Sequence, residues 1–313
     1  MSLLFGIYAG GLAGDQNGIT TPGPAEDPDR IDAALDALHG PHPFLTRGYV
    51  LYDDARPGHV QAPPAPWRHA RGNRRLDLVV SFREPGDDLT GWLAFLRDQL
   101  RAHGDVLATL QVGEEGNHAG PGGDGGQPAV RRAIVEGVLA ARAEADRLGL
   151  TDVRIGCNST PIFDDTQDFW SSLRGDEFAG ALGYAGLDFF PDVFAPIPAE
   201  QLEAAVEGVI TGFRTRSMAA AGLPSSTPIH ITEHGWPTGG DRTPERQAEV
   251  LSTVVSVADR LGVAAYEHFA LRDADSTSED PFFRFGLMTS GYRPKPAFET
   301  YRALIATHSV STT

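Results

Sequence analysis

Short apolar runs alternate with amphipathic stretches along the whole chain, the pattern of βα units around a parallel sheet. Eight runs read as strands: Leu3 to Ala9, Phe44 to Tyr52, Leu76 to Phe82, Val106 to Glu114, Val153 to Ser159, Leu187 to Phe194, Ile229 to Glu233 and Val263 to Leu271. Several of the intervening helices are punctuated clearly. Asp27 and Pro28 form a cap and first-turn pair, Ile31, Leu35 and Leu38 the buried stripe, and Gly40 the stop. Thr243 and Pro244 repeat that start, with Val250, Val254, Val257 and Leu261 as the stripe ahead of Gly262. Further helices open at Pro128, running to Gly149, and at Pro198, running to Gly222. Eight such units predict an α/β fold, a single closed (β/α)8 TIM barrel over residues 1–313, with long loops at 54–75, 117–127 and 272–294. An open dinucleotide fold fits less well: GGLAGDQNG is glycine-rich, but the helix after it begins only around Pro28, too far on to cradle a pyrophosphate.

Composition narrows the function classes. Forty-two acidic residues against 26 basic ones give a formal charge of −16, which disfavours binding to phosphate backbones or anionic lipid, so neither nucleic acid nor membrane is an expected partner. Lys295 is the one lysine, which removes most Schiff-base chemistry and the lysine of a phosphate-binding loop; Cys157 is the one cysteine, which excludes an internal disulfide. No run approaches the ~18 apolar residues of a membrane span. The start MSLLFGIYAGG has no basic lead and too short an apolar run for a signal peptide, so a cytoplasmic location is expected.

In a barrel the open face lies at the strand C-termini, so polar residues there are the informative ones. The fourth strand ends QVGEEGN and the seventh ITEHGWP. Alternation puts Thr109, Gln111, Gly113 and Glu115 on one face of the fourth strand, making Glu115 the inward carboxylate, while Glu233 shares parity with Ile229 and Ile231. Strands four and seven lie nearly opposite, so two carboxylates at these ends can converge, as glycosidic bond cleavage requires of its proton donor and its nucleophile or base. Arg56, Arg68, Arg71, Arg74 and Arg75 form a basic island ahead of the third strand, read as a solvated surface or structural clamp rather than an anion site.

These segments resemble clan A glycoside hydrolases, retaining (β/α)8 enzymes with an acid/base glutamate after strand four and a nucleophilic glutamate after strand seven. ITEHGWPTGG is similar to the nucleophile region of β-1,3-glucanase-type members, and YEHFALRD with FGLMTSGYRPKPAFETYRAL to their closing strand, turn and final helix. The resemblance implies Glu115 as acid/base, Glu233 as nucleophile and Trp236 as a sugar-stacking platform. It also exposes two departures. Glu114 stands where clan A carries an asparagine that bonds the sugar 2-hydroxyl, and strand six has Phe189 and Phe190 but not the tyrosine that contacts the nucleophile in many relatives. Arg47, on strand two, is either the arginine that keeps the nucleophile ionised or a member of an ordinary surface ion pair.

His118, His234, Glu267 and His268 also fall near strand ends, but without His-x-His or His-Glu-x-x-His spacing they read as substrate contacts, with Asn117 and Asn158, rather than as metal ligands. No metal or cofactor is expected, and the expected partner is a carbohydrate or other small molecule. Three functions stay open: a retaining hydrolase of a β-linked glycoside, a glycosidase-type barrel recruited to another acid/base reaction on a small molecule, and a non-catalytic carbohydrate-binding barrel.

Overall fold

The computed structural model describes residues 3–11, 13–15, 18–20, 23–53, 60–120, 122–161 and 163–309. Its eight parallel strands are β1 (Leu4–Tyr8), β2 (Phe44–Tyr52), β3 (Arg74–Phe82), β4 (Leu107–Val112), β5 (Arg154–Ser159), β6 (Tyr184–Asp188), β7 (Ile229–His234) and β8 (Ala265–His268). Each pairs with its neighbours in order, and β1 pairs with both β8 and β2, so the sheet closes into a barrel. Around it lie α1 (Pro28–His39), α2 (Thr90–His103), α3 (Val130–Arg147), α4 (Phe163–Ser172), α5 (Asp176–Ala181), α6 (Leu202–Gly212), α7 (Pro244–Arg260) and α8 (Pro296–His308). The expected (β/α)8 architecture is therefore the observed one. No described helix is long and apolar enough to cross a membrane.

The helix punctuation acts as its chemistry dictates. The Asp27 carboxylate accepts from the N–H groups of Asp29 and Arg30 at 3.1 and 3.2 Å, and Thr243 Oγ1 accepts from Arg246 N at 3.1 Å, satisfying first-turn donors that have no partner inside the helix. Where the second helix would stand, the described residues hold a short strand (Val60–Ala62), antiparallel to β2, and a single 3-10 turn (Pro66–His69). Arg56 lies outside the described residues. The rest of the basic island is largely a clamp: Arg74 is buried, bonding Asp36 at 2.8 Å and Asp32 at 3.2 Å on α1, while Arg71 reaches Asp32 at 3.4 Å.

One strand is displaced from its expected place. The sixth runs Tyr184–Asp188 rather than Leu187–Phe194, because the apolar run LDFF carries on past the sheet into the loop above it. Pro191 has no N–H for a ladder, and Asp192 takes a left-handed φ of 62°. The helix expected from Pro198 to Gly222 is interrupted in the same spirit, with α6 followed by a wider π-type turn at Phe213–Met218.

Apolar packing lies between the sheet and the helices, whereas the barrel interior is largely polar. Arg47, Asp77, Thr109, Gln111, Asn158, Asp188 and Glu267 are all buried there. Tyr184 and His230 stack at 4.1 Å within the same space, and a Cβ at Gly156 would stand 2.3 Å from the Tyr184 ring, so glycine is required opposite it.

Candidate active site

Strict alternation fails at both strand ends that carry the key carboxylates. On β7, Ile229 and Ile231 face the helices, and the pairing register shifts between Ile231 and Glu233 against β6. That bulge turns Glu233 inward beside Thr232, against the parity it shares with Ile229 and Ile231. On β4 the break comes at Gly113, whose φ of 82° and the φ of 41° at Glu115 end the ladder. Glu114, not Glu115, thereby joins Gln111 deep in the interior, correcting the alternation that assigned the inward place to Glu115; Glu115 sits half-buried above it.

Three carboxylates converge. Oxygens of Glu114, Asp188 and Glu233 lie within 4.8 Å of one another. Glu114 Oε2 accepts from Gln111 Nε2 at 2.5 Å, Asn158 Nδ2 at 3.3 Å and Arg47 Nη2 at 3.4 Å. Asp188 accepts from Asn158 Nδ2 and Thr232 Oγ1, both at 2.5 Å. Glu233 accepts from the Tyr49 hydroxyl, and Arg47 Nε stands 3.8 Å from the same oxygen. Arg47 also donates to Tyr49 Oη at 2.7 Å and to Asp77 at 2.5 Å. With 1% of its surface exposed, Arg47 belongs to no surface ion pair; it is a buried cation under the carboxylates.

Burial in low dielectric penalises ionised carboxylates, and like charges deepen the penalty. Desolvation, followed by the charge of neighbouring carboxylates, lifts Glu114, Glu115 and Asp188 well above the usual carboxylate range. Glu233 is lifted too, by burial, but Arg47 and the hydrogen bonds from Tyr49 and Glu114 pull it back. Glu233 is thus the member of the group best supplied with stabilisation for its anion. The group's donor chemistry is all oxygen, and the Arg47 guanidinium supplies positive charge to two of the three carboxylates, Glu114 and Glu233.

The remaining expected contacts divide. Asn158 is central: its Oδ1 accepts from Glu115 N at 2.7 Å while its Nδ2 bridges Asp188 and Glu114. His118 is half-buried on the loop after β4, and Asn117 ties that loop to the one after β5 by paired bonds with the Thr160 backbone, at 2.8 and 3.0 Å. Four others are not brought to the opening. Glu267 is buried lower in the barrel, facing Asp77 and Arg47. His234 and His268 turn outward, around the Tyr266 hydroxyl, His268 by its alternation with Glu267 and His234 because the β7 bulge that brings Glu233 inward turns the next residue out. Trp236 is 4% exposed, its Nε1 on Asp192 and its ring covered by the Arg242 guanidinium at 5.1 Å, so it offers no free face to a sugar.

Three functional neighbours escaped the sequence reading. Tyr49 brings to Glu233, from strand two, the hydroxyl that strand six does not supply, and its parity with Arg47 was the available signal. Asp188 ends β6 and was hidden by the misplaced strand. Asp124 is fully buried, accepting from Phe82 N and Glu114 N at 2.7 Å and from Ser81 Oγ at 2.5 Å, and its pKa is pushed up to about 6 by burial.

No family model matches the chain. Among solved structures it is similar to a glucosidase from Croceicoccus marinus, at 13% identity over 97% of this chain and 71% of that one with a TM-score of 0.64. It is equally similar to the exo-β-1,4-mannosidase Op5Man5 of an Opitutaceae bacterium, at 13% identity over 98% of this chain and 60% of that one, also with a TM-score of 0.64. These likenesses show the barrel fold shared with glycoside hydrolases. A curated protein of Aspergillus niger, described as a probable glucan endo-1,3-beta-glucosidase, is 21% identical over 235 residues, covering 71% of this chain and 48% of that protein. The chain thus spans about half the length of the curated relative it matches.

Proposed function

We propose that the protein hydrolyses a β-linked glycoside by a retaining double displacement, with Glu233 as nucleophile and Glu115 as acid/base. The observation that carries the reading is the asymmetry among the carboxyls: Arg47 is shared by Glu114 and Glu233, at 3.4 and 3.8 Å, but Glu233 accepts from the Tyr49 hydroxyl as well, and burial raises Glu114, Glu115 and Asp188 further than Glu233. An ionised Glu233 attacks the anomeric carbon while a protonated Glu115 gives its proton to the departing oxygen; Glu115, now anionic, then takes a proton from the water that releases the sugar. Glu115 suits this exchange because it is the half-buried carboxyl of the group, while Glu114 and Asp188 lie beneath it. The glycosidase names of the similar structures and of the Aspergillus niger protein support the reaction class.

Glu114 completes the reading. Its Oε2 is occupied by three donors, so its proton belongs on Oε1, directed at Glu233. A neutral carboxyl with one accepting and one donating oxygen has the pattern of an asparagine amide, so Glu114 need not place a second anion beside Glu233.

The test is turnover of aryl β-glycosides followed by NMR of the released sugar. The expected outcome is retention of anomeric configuration, with Glu233→Gln lowering kcat by at least about a thousandfold. Glu115→Gln should lose less on substrates whose leaving group needs no proton. Inversion, or full activity in Glu233→Gln, would overturn the assignment.

A further inference from the structure

An unbroken series of ring contacts leads away from Glu233 to the protein surface. Tyr49, bonded to Glu233, packs edge-on against Tyr8 at 5.1 Å, and Tyr8 stacks on Phe269 at 5.0 Å. From Phe269, at the end of β8, the series passes to Phe190, just after β6, at 6.4 Å and then to Phe194 at 6.1 Å. Phe194 meets Phe282, on the loop after β8, at 6.0 Å. Phe194 and Phe282 are 69% and 41% exposed, two large apolar side chains in mutual contact where water should disfavour both.

The segment that follows β4 is of another kind: its Glu115, Asn117 and His118 are polar and half-buried. A site with one polar side and one wall of phenyl rings suits a ligand that is itself two-sided. We infer that the loops after β6 and β8 form a subsite for a flat, uncharged aryl group, so that the substrate is a β-glycoside of an aromatic aglycone rather than a segment of polysaccharide. Phenylalanine supplies ring faces and edges but no hydrogen-bond donor, which favours an aryl group over a second sugar, whose hydroxyls would go unpaired against Phe194 and Phe282. The placement of the aryl group as aglycone rests on the glycosidase reading, whereas the existence of the aryl site does not.

Binding of 2-naphthol, a probe without sugar, to the full chain is measured by titration calorimetry, beside hydrolysis of aryl and methyl glycosides of the same sugar. The double variant Phe194→Ala/Phe282→Ala is expected to weaken naphthol binding about tenfold, with Val60→Ala, an exposed apolar control, unchanged. The preference for aryl over methyl glycosides in KM should fall by a similar factor. Naphthol binding that is absent from the parent, or equal in the parent and the double variant, would overturn the inference. So would a dimer of the parent that the double variant dissolves in sedimentation, since the rings would then be covered by a second copy. Naphthol binding that responds as expected in a protein hydrolysing none of the glycosides would keep the aryl site and overturn its role as aglycone subsite.

Discussion

At Glu114 the location of one proton decides what the side chain can do. Ionised, it would add a second anion beside Glu233; neutral, it accepts on one oxygen and donates from the other. Glu114→Gln fixes the neutral pattern, so plateau kcat is expected to stay within about threefold of the parent. The pH profile should hardly move: with Glu114 protonated, its replacement by a neutral amide leaves the charge beside Glu115 unchanged, and a downward shift of the alkaline limb of kcat by about one pH unit would show that Glu114 is ionised there. An upward shift would show that ionisation of Glu114 itself sets that limb. A fall of more than about a hundredfold at every pH would show that the Glu114 proton is transferred in the reaction. The meeting of carboxylates from the ends of β4 and β7 was legible in QVGEEGN and ITEHGWP. The depth of Glu114 was not, because it depends on the left-handed turn at Gly113 that no alternation rule contains.

Elements place these groups through their irregularities. The β7 bulge brings Glu233 inward, and the loop after β4 is fixed by a single buried carboxylate, Asp124, which binds the ends of both β3 and β4. Composition alone marks residues 117–127 as a flexible glycine-rich loop, yet Asp124 holds it from inside while Arg83 binds its backbone at Gly122 and Gly123. Asp124→Ala strands the Phe82 and Glu114 N–H groups and removes a buried partner of Arg83, and is expected to lower unfolding free energy by about 3–5 kcal/mol. Urea denaturation measures this. Turnover should drop along with it, because Glu114 N is one of the released donors; a stable, fully active variant would show that the loop holds the site without this anchor. Helix caps and stripes were readable because each depends on neighbours within a turn. The sixth strand was misread because Tyr184, Ala185 and Gly186 carry little apolar signal, whereas the phenylalanines after it serve the opening.

Across the whole molecule, the arrangement that equips the site also shapes the pH dependence of stability. Glu114, Glu115, Asp188 and Glu267 keep their protons longer in the folded chain than in the unfolded one, so stability falls as pH rises from about 4.3 toward their raised folded values. The buried histidines act in the opposite sense: His230 and His268, pushed down to about 3 by desolvation, remain neutral when folded, so stability falls as pH drops from about 6.5. The two trends compete below about pH 6.5; above it the histidine contribution is fully present, while the carboxyl contribution goes on falling toward the raised folded values. Glu267 samples that contribution from low in the barrel, where burial and then the nearby Asp77 raise it. Glu267→Gln has no proton to lose. Its stability relative to the parent should therefore rise with pH by about 1.4 kcal/mol per unit between the unfolded and folded pKa values, from little difference near pH 4.5. Thermal melts followed by circular dichroism across pH 4.5 to 9 measure the difference, expected as a Tm gain of about 2–4 °C for each kcal/mol. A Tm difference that stays constant across this range would mean that Glu267 has the same proton affinity folded and unfolded, and the alkaline decline would have to come from the carboxyls at the opening.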